Sequence, residues 1–187
     1  MWMDNPVRCL RALAPFAAVA ALTVVTHATQ ELPFGARPDP RTPSRLTVAF
    51  STDAAPVVPG RSVTLRLAMT PAPGIHVYAP GNPDYIPVSV NLQLPAGVHA
   101  DPAVYPPAED YVFGELKEIV KVYTRPFEVR QRITVTRAAA RSAGSALTID
   151  GSVRYQACTD KVCFPPATAP VSLTVPIAST QGKAAPR

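Results

Sequence analysis

Two cysteines separated by four residues, Cys158 and Cys163, lie in the stretch YQACTDKVCFPP from Tyr155 to Pro166. Three kinds of chemistry are open to such a pair. The thiols can close into a disulfide, cycle between dithiol and disulfide, or bind a soft metal as thiolates. The third cysteine of the chain, Cys9, sits near the start. Which chemistry applies depends on the compartment and on the elements that hold the pair.

The N-terminus addresses the compartment. Arg8 and Arg11 precede an uncharged apolar run from Ala12 to Val25, and small residues follow at Thr26 and Ala28. A charged start, a short apolar stretch and a small-x-small site are the pattern of a secretory signal, here residues 1–28 with cleavage near Ala28. The run falls short of the ~20 residues of a comfortable membrane span. An uncleaved anchor is the alternative reading. Cleavage removes Cys9 and leaves a matched pair in an oxidising compartment, where it should close. Hydrolytic Cys-His catalysis is excluded on the same ground.

The rest of the chain reads as strands. Residues 29–43 form a Pro-rich linker and residues 178–187 a flexible tail, leaving one domain over 44–177. With 23 prolines against 9 glycines, long helices are disfavoured and short strands between turns are favoured. Period-2 alternation sets Val63, Leu65, Leu67 and Met69 on one face, then Val88, Val90, Leu92 and Leu94, then Phe127, Val129, Ile133 and Val135, then Val171, Leu173, Val175 and Ile177. Shorter matches run over Leu46–Phe50, Glu118–Tyr123 and Leu147–Tyr155. No amphipathic helix is evident. Seven or eight antiparallel strands in a domain of this size predict an all-β, immunoglobulin-like sandwich. An up-and-down barrel fits less well, because the connections vary widely in length. The net charge of +5 is spread without a basic cluster, which argues against nucleic-acid binding.

On this map the cysteines flank a four-residue hairpin loop. Residues flanking such a loop face each other at roughly 4.5–5.5 Å between Cα atoms, within disulfide range. The bond would add only about 2 kcal/mol for so short a loop. Immunoglobulin-type stabilising disulfides instead cross the core between distant cysteines. A redox role is therefore favoured over a purely structural staple. Two thiolates are too few for a closed zinc site. His76, Met69 and His99 are possible further ligands that nothing in the sequence brings to the hairpin. His76 reads as an ordinary strand histidine. Lys161 would favour a thiolate and Asp160 would oppose it. The segment Tyr105–Glu118, with Tyr111, Val112 and Phe113 between acidic residues, reads as a loop, either an anchor on the sandwich or a functional cover.

The hairpin with the strand after it resembles the N-terminal domain of the thiol-disulfide interchange protein DsbD, a periplasmic, immunoglobulin-like domain. GIHVYAPGNP and EDYVFGE give weaker support. The resemblance implies a protein-disulfide reductase type of electron relay without a cofactor, in which Cys163 attacks partners and Cys158 resolves the mixed disulfide. It implies hairpin support from Tyr155, Gln156, Lys161, Phe164 and Pro165. It also implies a cap over the cysteines made by Asp110, Tyr111, Val112, Phe113 and Gly114. Family partners are thioredoxin-like periplasmic oxidoreductases, including those serving disulfide isomerisation and cytochrome c maturation. With no polytopic membrane segment or thioredoxin-like C-x-x-C in the sequence, the expected electron donor is a separate membrane protein. No stable membrane insertion is expected after signal cleavage. Two details depart from the family: four residues rather than five lie between the cysteines, and Val112 stands where an aromatic is expected.

Overall fold

The computed structural model describes residues 44–113 and 117–179, so the 1–28 signal, the 29–43 linker, Gly114 and most of the 178–187 tail lie outside the described residues. The described chain is an all-β, immunoglobulin-like sandwich. One sheet has the order β1-β2-β8-β5, built from Leu46–Thr52, Ser62–Pro71, Phe127–Val135 and Val98–Ala100. A second has the order β11-β9-β4, from Ala167–Pro176, Ala146–Tyr155 and Ser89–Gln93. A third, smaller sheet has the order β10-β3-β7-β6, from Ala157–Cys158, His76–Tyr78, Glu118–Tyr123 and Glu109–Phe113. The pairings within all three sheets are antiparallel.

The alternation seen in the sequence builds the core. Val63, Leu65, Leu67 and Met69 of β2 are all buried, as are Val129, Ile133 and Val135 of β8. They meet Leu147, Ile149 and Val153 of β9 and Val171 and Val175 of β11 in two apolar clusters. Gly151 sits inside β9 because β4 passes close over it. A Cβ there would lie 2.6 Å from the Asn91 carbonyl oxygen and 2.7 Å from Leu92 Cδ2.

The structure departs from the sequence reading in three places. More strands form than the seven or eight expected, because β3, β5 and β10 are only two or three residues long and carry no readable period. The segment around Tyr111 is a strand rather than a loop: Glu109–Phe113 pairs with β7 from Glu109↔Val122 to Phe113↔Glu118. A short helix, α1, also forms over Arg137–Ala143. Its seven residues are too few to show a stripe, and burial of Ala139 and Ala140 holds it on the sandwich. Thr136 caps it, its Oγ1 accepting from the Ala139 N–H at 3.2 Å. Thr136→Ala is expected to lower the unfolding free energy by about 1 kcal/mol, read as a lower urea midpoint at unchanged slope.

Candidate functional site: a disulfide hairpin under tyrosines

Strand β9 ends at Tyr155, which is buried in the core and pairs with Ala167 of β11. After Gln156 the chain changes sheets. Ala157 and Cys158 leave β9's sheet and pair with Val77 and His76 of β3. The cysteine hairpin is thus an excursion from the β9–β11 ladder into the small sheet. Cys158 and Cys163 face each other as an antiparallel bridge and are joined in a disulfide, with Cα atoms 4.0 Å apart.

Local bonds shape the turn. The Thr159 N–H donates to the Val162 carbonyl at 2.8 Å, and Thr159 Oγ1 accepts from the N–H groups of Lys161 and Val162. Below the bridge, the Phe164 N–H donates to the Ala157 carbonyl at 2.9 Å, and Gln156 Nε2 donates to the Phe164 carbonyl at 3.2 Å. The Phe164 ring lies under the Arg45 guanidinium, 3.6 Å from carbon to centroid, a cation–π contact that ties the hairpin base to the start of β1. Lys161 and Pro165 are exposed.

The two sulfurs are not equivalent. Cys158 is fully buried, with 0% exposure, whereas Cys163 is half-buried. Tyr78 Oη lies 3.4 Å from Cys163 Sγ. A disulfide sulfur carries no hydrogen, so the phenol is the donor. Burial, with the neighbouring Tyr85 and Glu118 adding to it, pushes the Tyr78 phenol up to about 12. It therefore keeps its proton at neutral pH. On reduction the same O–H would point at a developing thiolate on Cys163, and a hydrogen bond to the charged form favours that form.

A row of aromatics fixes Tyr78. Its ring stacks on Tyr85 at 4.2 Å, and Tyr85 Oη donates to Glu118 Oε2 at 2.7 Å. Asn82 holds the connecting loop by donating to the Ala79 and Lys121 carbonyls and accepting from the Lys121 N–H. On the other side His76 meets Tyr78 edge-on at 5.8 Å and packs against Tyr111 at 4.5 Å. Tyr78, Val120, Val122 and Cys158 form one buried cluster, with Tyr85, Tyr111 and Cys163 packed against it.

The expected cap residues separate by strand parity. Tyr111 joins this cluster. Asp110 alternates with it and forms an exposed ion pair with Lys121. Val112 is 59% exposed and Phe113 closes β6. Glu109 anchors the strand, accepting from Thr124 Oγ1 at 2.7 Å and from Arg125. Those bonds, Thr124's first, hold its carboxyl below the ordinary range.

Sequence reasoning took His76 for an ordinary strand histidine and did not single out Tyr78, Tyr85 or Glu118 as site residues. The one signal was GIHVY, quoted only as a weak likeness. Of the possible metal ligands, His76 does come to the hairpin. Met69 is buried in the main core, and His99 is exposed on β5. Among the described residues no group of three or more His, Cys, Asp or Glu side chains gathers into a metal site. A cavity of about 740 Å³ lies elsewhere, lined by Val58, Arg137, Arg141 and Ile177 among others. Also among the described residues, no helix is long and apolar enough to cross a membrane.

Among solved structures, the N-terminal periplasmic domain of ScsB from Proteus mirabilis is similar at 13% identity and a TM-score of 0.46, covering 70% of this chain and 46% of its own. The chain therefore spans less than half the length of that protein's chain. AggA, the major subunit of aggregative adherence fimbriae type I from Escherichia coli, is similar at 8% identity and a TM-score of 0.32, covering 72% of this chain and 97% of its own. No curated protein sequence matches the chain. The family model described as "Thiol:disulfide interchange protein DsbD, N-terminal" matches residues 45–175, from the start of β1 through β11 and across the whole disulfide hairpin, and the chain belongs to that family.

Proposed function

We propose that the protein is a periplasmic thiol-disulfide exchange module that relays electrons between redox partner proteins through Cys158 and Cys163. The observation that carries this reading is the inequality of the two sulfurs. Cys163 is half-buried under a phenol donor, while Cys158 is fully enclosed. In thiol exchange the accessible sulfur with the better-stabilised thiolate meets the partner. Cys163 therefore attacks the partner disulfide, and the partner's leaving sulfur departs as a thiolate. Cys158 then attacks Cys163 Sγ, closes the internal disulfide and releases the second partner sulfur. Two electrons pass to the partner.

The family supports thioredoxin-like oxidoreductases as acceptors, including those that serve cytochrome c maturation, and a membrane protein as donor. The export pattern of residues 1–28 supports the periplasm as the place.

The test is equilibration of the protein without residues 1–28 in glutathione buffers. A reduction potential well above about −300 mV, with a glutathione adduct seen during the titration, is the expected result. A potential below that value with no adduct would mark an inert structural disulfide and overturn the reading.

A further inference from the structure

His76 is a buried histidine, with 3% exposure, and it lies directly opposite Cys158 in the β10–β3 register. Directly opposed residues of an antiparallel pair project to the same face, with Cβ atoms roughly 4.5–5.5 Å apart. Tyr78, two residues along β3, lies on that face too and reaches the other sulfur. The Tyr111 ring packs against the imidazole. The enclosed sulfur thus has a proton acceptor beside it, in a place where solvent hydroxide has little access.

The geometry points to His76 as the group that takes the proton from the Cys158 thiol and so frees the thiolate that resolves the mixed disulfide. This inference rests on the exchange reading above and assigns a residue to its second step. The balance is complete. The Cys158 S–H bond breaks, and its proton passes to the imidazole. The thiolate attacks Cys163 Sγ, the Cys158–Cys163 bond forms, and the Cys163–partner bond breaks. The electron pair leaves on the partner sulfur, which takes up the proton held by His76.

Among the described residues, the groups facing the imidazole include Tyr78 on its own strand, Tyr111 from β6, Cys158 from β10, and Asp160 in the hairpin, which acts through its charge. Burial holds His76 below its ordinary value, and the Asp160 carboxylate pulls the other way. A neutral imidazole is the form that can accept a proton, so the low side is the useful one.

The experiment uses the reduced protein without residues 1–28 and glutathione disulfide as probe, with both steps followed by rapid quench and intact mass. For His76→Phe, which keeps a ring against Tyr111, the glutathione adduct is expected to form within about twofold of the wild-type rate. Its resolution is expected to fall about 100-fold near pH 7, the low end of what a positioned proton acceptor supplies. Resolution in the variant should also climb with pH where the wild type is nearly flat. An unchanged resolution rate and pH profile would overturn the assignment. If His76→Phe does not fold, His76→Gln is measured in its place and read by the same two outcomes. A wild-type chain that forms no glutathione adduct overturns the exchange reading itself, a result distinct from an adduct that resolves without His76.

Discussion

Cys158→Ser is expected to stop exchange halfway. The variant keeps Cys163 with its Tyr78 donor, so attack on a partner disulfide proceeds, but the sulfur that would release the partner is gone. A mixed disulfide through Cys163 should accumulate and survive non-reducing electrophoresis. Cys163→Ser should behave oppositely. Its remaining sulfur has 0% exposure, and adduct yield should drop at least about tenfold, because access selects the attacked or attacking sulfur. Equal adducts from the two variants would contradict the assignment of roles. The serine differs from cysteine by one atom, and the loop bonds around Thr159 do not involve either sulfur, so both variants should fold.

Leu67→Ala should have the largest effect on stability. Leu67 has 0% exposure in the middle of β2, paired with Phe50 on one side and Val129 on the other. Neighbours held in two ladders cannot collapse far into the space left behind. Large-to-small changes at such positions cost about 2–5 kcal/mol, a sizeable share of the roughly 5–15 kcal/mol that holds a domain folded. With a urea slope of about 1–3 kcal/mol/M, the midpoint should fall by at least ~0.7 M. The oxidised protein is the form to measure, and a midpoint within experimental error of wild type would contradict this placement of the core.

The long strands were legible because each buries one face. β2, β8, β9 and β11 alternate cleanly, and Phe127–Val135 and Glu118–Tyr123 match their sequence bounds. The hairpin facing of Cys158 and Cys163 was legible for the same local reason, since four intervening residues leave few ways to turn. The surroundings of the cysteines were not. His76, Val77 and Tyr78 are all buried, so β3 shows no period. Its pairing with β10 joins residues far apart in sequence, and no local pattern encodes that. In β6, Tyr111 turns inward while Val112 faces out, both apolar in character, which hides the alternation of a true strand. The candidate site lies where the chain is least regular: two-residue and three-residue strands and an edge hairpin.

Strand β6 is the outermost member of its sheet and pairs only with β7. Displacing it would break a single ladder, the Tyr111 packing and the side-chain contacts of Glu109 and Asp110, leaving both large sheets and their apolar core intact. Opening at this edge therefore belongs to local, sub-global unfolding, whose free energy lies below that of the whole domain. The amides of β6 should exchange with solvent deuterium ahead of those of β2 and β9. On the proposed exchange function, a cover mounted on such a margin would let a partner reach the sulfurs without loosening the body that aligns them.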